Sequence, residues 1–138
     1  MRKLWNVASL ALVAGVMLAG CKKAKGPVAI DPHSADGVLA RLQEQGRLLN
    51  EALVRKDFAY IHDYAYYFSG LTQAFFSKLD DSQKQHVRAS LEELVGLANQ
   101  LDHSAGRKHA EATEASLKRM QVVLKELDKQ FQEVKHSG

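Results

Sequence analysis

The chain has 138 residues, 46% of them hydrophobic and 25% charged, with two prolines; this is the make-up of one globular domain and not of a disordered chain. Nineteen basic residues face sixteen acidic ones, a formal net charge of +3, too small and too evenly spread to mark a nucleic-acid-binding surface. A single cysteine, Cys21, excludes an internal disulfide and any site built from several thiolates.

The chain opens on the cationic Met1-Arg2-Lys3 and continues as an uncharged, mostly apolar run from Leu4 to Gly20. A positive start, a short apolar stretch and small residues before a cut are the pattern of a secretory signal peptide, here residues 1–20. The run is short for a bilayer span, which takes ~20 residues. Leu18-Ala19-Gly20-Cys21 resembles the lipobox of bacterial lipoproteins. The resemblance implies that Cys21 receives a diacylglycerol, that cleavage falls just before it, and that its freed amine is acylated, for instance by palmitate. In such lipoproteins of Gram-negative bacteria an Asp after the cysteine retains the protein in the inner membrane. Lys22 stands there in this chain, so the resemblance implies the outer membrane, facing the periplasm. Loss of Arg2 and Lys3 with the signal leaves 17 basic against 16 acidic residues, a net of about +1.

Residues 21–33 carry Lys22, Lys23 and Lys25, then Gly26, Pro27 and Pro32, without hydrophobic period, and read as a flexible tether behind the lipidated cysteine. From 34 to 138 the pattern is helical almost throughout. The first segment, Ser34 to Lys56, sets Val38, Leu42, Leu49 and Leu53 on one face and closes on Arg55 and Lys56, which suit the negative end of a helix dipole. Asp57 caps the second, which runs to about Leu79 with Ile61, Ala65, Phe68, Thr72, Phe75 and Leu79 inward. Asp80 and Gln83 form a capping box for the third, whose row is Val87, Leu91, Leu94, Ala98 and Leu101. A break at His103 to Gly106 leads to the fourth, with Ala110, Thr113, Leu117, Met120, Leu124, Leu127, Phe131 and Val134 as a narrow seam. Short connections force neighbouring helices antiparallel, so the expectation is an all-α, up-down-up-down four-helix bundle. Counting from the first turn places Gly46 near Phe68, making room for the ring.

No nucleophile–base pair or phosphate-binding glycine loop is present, and the expectation is a non-enzymatic protein. A c-type haem needs a second cysteine, no histidine lies level with Met120 for a b-type haem, and Glu133 to His136 is a single, terminal instance of a di-iron motif that is needed twice. The topology gathers His62, His103 and His109 towards one end, beside Asp63, Asp102 and Glu111, and His33, His86 and His136 towards the other. The first set offers imidazoles and a carboxylate suited to Zn²⁺ or Cu²⁺, or else solvent-exposed groups at polar helix ends. The second segment holds eight of the nine aromatics beyond residue 20, with Tyr60, Tyr64, Tyr67 and Leu71 on one flank of its buried face and His62, Tyr66, Ser69 and Gln73 on the other. The flanks either cover the grooves to neighbouring helices, or the one with Tyr60, Tyr64, Tyr67 and Leu71 forms a patch for an envelope protein or a second copy in a homodimer. Asp57, Ile61, His62 and Tyr66, after a leucine-bearing helix, resemble a segment of small periplasmic helical-bundle proteins associated with metal efflux or resistance. That resemblance implies a metal-binding accessory role in the envelope, although Ser69 stands where the pattern has an acidic residue.

Overall fold

The structure is a computed structural model that describes residues 30–137; the signal-like segment, Cys21 and most of the tether lie outside the described residues. Four helices follow one another: α1 (Ala35–Val54), α2 (Phe58–Ser77), α3 (Asp81–Gly106) and α4 (Ala110–Ser137). Contacts join α1 to α2, α2 to α3, α3 to α4 and α4 back to α1, while the diagonal pairs are held apart. The result is the expected all-α, up-down-up-down four-helix bundle. Among the described residues no helix is long and apolar enough to cross a membrane.

The first three helices each start on a side-chain acceptor. Ser34 Oγ takes the Gly37 N–H at 3.1 Å, and Asp57 Oδ1 takes that of Tyr60 at 3.0 Å. At α3 the box is reciprocal: Asp80 Oδ1 accepts from the Gln83 N–H at 2.8 Å while Gln83 Oε1 accepts from the Asp80 N–H at 3.0 Å. These contacts satisfy amides that a helix start leaves unpaired, each worth about 1 kcal/mol. Ahead of α1 the chain turns back on itself. Ser34 N–H and Oγ–H both donate to the Asp31 carbonyl, and a Cβ on Gly37 would sit 2.0 Å from that same oxygen. Glycine at 37 is what lets Asp31 and Pro32 lie across the first turn of the helix.

All three connections are three residues long. The first and third are built alike, with a lysine in the left-handed region: Lys56 at φ 57° and Lys108 at φ 58°. At the first, Asp57 N–H reaches the Ala52 carbonyl at 2.8 Å and Lys56 N–H that of Leu53 at 2.9 Å; at the third, His109 N–H reaches Ser104 at 2.9 Å and Lys108 N–H reaches Ala105 at 3.0 Å. These paired bonds are the Schellman closure, normally built on glycine. The chain therefore breaks later than the expected His103 to Gly106, because Gly106 keeps helical geometry and Lys108 makes the turn. The middle connection instead buries Leu79, 5% exposed, as a plug.

The core follows the expected rows closely. Every inward residue expected on α2 and α3 is buried, as are Val38, Leu42 and Leu49 on α1. Phe75 and Phe131 meet edge-to-face across the centre, with centroids 5.2 Å apart. Three expectations change. Leu53 and Val134 are only half-buried and Ala110 is exposed, because each sits in the last or first turn, beyond the reach of a neighbour. The seam of α4 is wider than a strict three–four repeat, since Ser116 and Val123 are buried too. Gly46 faces α4 and not Phe68: a Cβ there would stand 2.7 Å from Leu124 Cδ1, and the Gly46 carbonyl accepts from Gln121 Nε2 at 3.1 Å. Counting residues from a turn gives the level along the bundle but not the side of the helix.

Polar rungs fasten α3 to α4 along most of their length. Ser104 with Thr113, Gln100 with Ser116, Glu93 with Arg119, Ser90 with Gln130 and His86 with Glu133 descend in antiparallel register. Arg119 grips Glu93 with two nitrogens, at 2.5 and 3.1 Å. The hydrogen bond, aided by the positive charge, holds the Glu93 carboxyl below its ordinary 4.5.

Three outcomes follow for unfolding of the full chain. Replacing the fully buried Phe75 with alanine costs about 3–5 kcal/mol, measured by urea titration, whereas Phe76→Ala on the half-buried neighbour costs less. Lys56→Gly and Lys108→Gly each stabilise the fold by about 1 kcal/mol by relieving the left-handed backbone. A depressed carboxyl pKa stabilises the folded state above the unfolded-state value, and the effect is lost as pH falls through the folded one. Glu93→Gln therefore lowers the melting temperature slightly at neutral pH, and the difference from the parent disappears in acid.

Candidate functional site

Three regions bear on function: the histidine-bearing end, the tyrosine flank of α2 and a groove between α2 and α3.

The antiparallel order brings the start of α2 against the end of α3. His62 Nδ1 lies 3.0 Å from the Asp102 carbonyl oxygen and 2.9 Å from Asp102 Oδ1. Both neighbours can only accept, so Nδ1 carries the proton and Nε2 is left with the lone pair when the ring is neutral. Gly106 makes the approach possible, since a Cβ there would be 3.1 Å from the same nitrogen. The pair is half exposed, at 48% for His62 and 53% for Asp102. His103 stays on the exposed face of α3, and His109 is exposed at the third corner, where its N–H closes the helix end. Among the described residues no group of three or more His, Cys, Asp or Glu is placed to hold a metal ion. His62, His103 and His109 thus share one end of the bundle without converging. At the opposite end His86 finds Glu133 at 3.6 Å.

The other flank of α2 carries a run of rings. Tyr60 and Tyr64 stack with centroids 4.2 Å apart and planes 19° apart, and Tyr67 meets Tyr64 edge-on at 6.2 Å. The i, i+4 and i, i+3 spacings place them one above another on the helix surface. Tyr64 is 41% and Tyr67 46% exposed, and Tyr66, round the helix, is 83% exposed. Leu71, expected to extend this surface, is instead 5% exposed and part of the core. It follows Tyr67 by one turn but lies nearer the buried row, so the surface ends at Tyr67.

The groove was not foreseen from the sequence. Thr72, Gln73 and Phe76 of α2 and Arg88, Leu91, Glu92 and Val95 of α3 enclose about 340 Å³ with a largely apolar lining. Lys84 Nζ and the Arg88 guanidinium lie 5.2 and 5.3 Å from the centre of the Phe76 ring. A signal was present: Phe76 falls beside the core row of α2, and Lys84 and Arg88 are one helical turn apart.

Comparison with family models, with curated proteins and with solved structures returns no match.

Ring contacts of this kind are worth about 0.5–1.5 kcal/mol each. Tyr64→Ala, which removes both, is expected to lower stability measurably in urea. Tyr66→Ala, at a highly exposed position, should stay within about 0.5 kcal/mol of the parent.

Proposed function

We propose that this chain is a lipid-anchored lipoprotein of the cell envelope, without catalytic activity, that holds a four-helix bundle at the periplasmic face of the outer membrane and binds a protein partner through α2. The observation that carries the binding role is the ring surface of Tyr60, Tyr64 and Tyr67, in which Tyr60 is half-buried and Tyr64 and Tyr67 are exposed. Tyrosine combines a large apolar body with a hydroxyl that tolerates water, which is why it is enriched at protein interfaces. The address rests on Leu18-Ala19-Gly20-Cys21 and on Lys22 after it. Two or more acyl chains on Cys21 give stable anchoring where one gives only marginal binding. The ten chain steps from Cys21 to Asp31 reach at most roughly 35 Å even when fully extended.

A second reading, a metal-binding accessory protein taking Zn²⁺ or Cu²⁺, is favoured by one observation. A metal-ligating histidine usually donates its other ring N–H to a carboxylate or a carbonyl, and His62 donates Nδ1–H to Asp102. His103 or His109 would have to move to complete such a site.

Labelling cells with a palmitate analogue should mark the chain, and Cys21→Ser should remove the label and release the protein from membranes. Photo-crosslinking from position 67 in intact cells should trap a defined adduct, whereas crosslinking from position 118 on α4 should not. Equal adducts from both positions, or none from either, would refute the α2 interface. Thermal melting with Zn²⁺ or Cu²⁺ decides the second reading, since a metal at 100 times its dissociation constant adds about 2.7 kcal/mol. A rise that His62→Ala abolishes would favour metal handling, and an unchanged midpoint would dismiss it.

A further inference from the structure

The groove between α2 and α3 differs in chemistry from the tyrosine flank and lies on the other side of α2. Its floor is apolar, formed by Phe76, Leu91 and Val95. At one end Arg88, a lining residue, is held over the Phe76 ring, and Lys84, one turn before it and beside the groove, is held over the same ring. Among the described residues neither side chain makes a hydrogen bond or lies within 4.0 Å of a carboxylate, although Arg47, Arg119 and Lys135 all do. A cation held over a ring face still has its N–H donors to offer, and the guanidinium presents them in a fork that matches a carboxylate. The volume of about 340 Å³ is at the small end of the ~300–1,000 Å³ of small-molecule sites. It suits a compact ligand and not the broad, flat footprint of a protein partner.

We infer that this groove binds a small, free carboxylate with an apolar body. The carboxylate would sit on Arg88 and Lys84 and the body would lie along Phe76, Leu91 and Val95. Glu92, one turn beyond Arg88 and also lining the groove, sets the polarity. It disfavours a second anionic group further along, so a ligand with one charged end fits and a dianion does not. Of the two neutral polar residues in the lining, Thr72 is buried and donates its hydroxyl to the Ser69 carbonyl at 2.6 Å, and the exposed Gln73 at the rim could meet a hydroxyl or amide. This site stands independently of the α2 interface, because none of its lining residues is a tyrosine.

The test is calorimetric titration of 2-naphthoate into the full chain carried on phosphatidylcholine vesicles, with bare vesicles as the blank. Saturable binding is expected, and naphthalen-2-ylmethylammonium, the same body with the opposite charge, is expected to bind at least tenfold more weakly. Arg88→Gln should weaken naphthoate binding by at least roughly tenfold, since it removes a charge-assisted hydrogen bond to the carboxylate. Glu92→Gln should leave naphthoate binding equal or tighter and admit a naphthalene dicarboxylate. Val95→Phe should abolish binding by filling the groove while leaving both cations in place. Arg88 and Glu92 are exposed, so their variants keep the fold, and an unchanged helical circular-dichroism signal verifies this for each. No saturable heat with the parent chain, equal binding of the amine, or insensitivity to both Arg88→Gln and Val95→Phe would each overturn the inference.

Discussion

Three connections of three residues each govern this molecule, because a chain given so little length between long helices can only turn back on itself. Two of them are closed through a left-handed lysine, a backbone state that costs a non-glycine residue roughly 1–2 kcal/mol. The paired bonds from Asp57 to Ala52 and from His109 to Ser104 accompany that cost and satisfy carbonyls that the helix ends would otherwise leave open. Asp57 then serves twice, ending α1 through its N–H and starting α2 through its carboxylate. A residue used in both helices leaves no slack in the angle between them.

From that constraint the placement of the chemistry follows. Antiparallel order puts the start of α2 beside the end of α3, which is where His62 meets Asp102 and where Gly106 clears space for the ring. The same order presents the far half of α2 to the beginning of α3, where Phe76 lies under Lys84 and Arg88. With α3 covering one flank of α2, Tyr60, Tyr64 and Tyr67 fall on the opposite one, and their exposure shows that no neighbour covers them fully. The polar rungs between α3 and α4 set the register of the second half of the chain, with the buried Thr113 and Ser104 hydroxyls paired to each other at 3.0 Å. An unpaired hydroxyl in that position would carry a desolvation penalty, so the rung specifies alignment as well as satisfying a donor.

Much of this was legible in the residues. Helix number, order, caps and the central rows of the core follow from the three–four spacing and from Ser34, Asp57 and Asp80, because capping and amphipathic burial are local rules. What escaped was azimuthal or long-range. Gly46 was assigned to the wrong neighbour and Leu71 to the surface, since spacing along a helix does not say which side a neighbouring helix takes. A break was expected at His103 to Gly106, yet the helix runs through Gly106, where glycine serves close packing, and Lys108 makes the turn. The histidines were rightly assigned to an end, but convergence depends on side-chain direction, which topology alone does not carry. The groove was missed because it belongs to two helices at once.

The account holds that α2 turns its His62 flank to α3, keeps Phe75 at the centre and leaves its tyrosines outward. The most direct test is a set of nuclear Overhauser contacts in the full chain, labelled selectively at phenylalanine, histidine and glycine and held in a phospholipid nanodisc. The account predicts cross-peaks between the rings of Phe75 and Phe131 and between the His62 ring and Gly106 in the same sample. Absence of the Phe75–Phe131 contact, or a His62 ring seen beside α1 instead of α3, would contradict the arrangement and with it the placement of both the tyrosine surface and the groove.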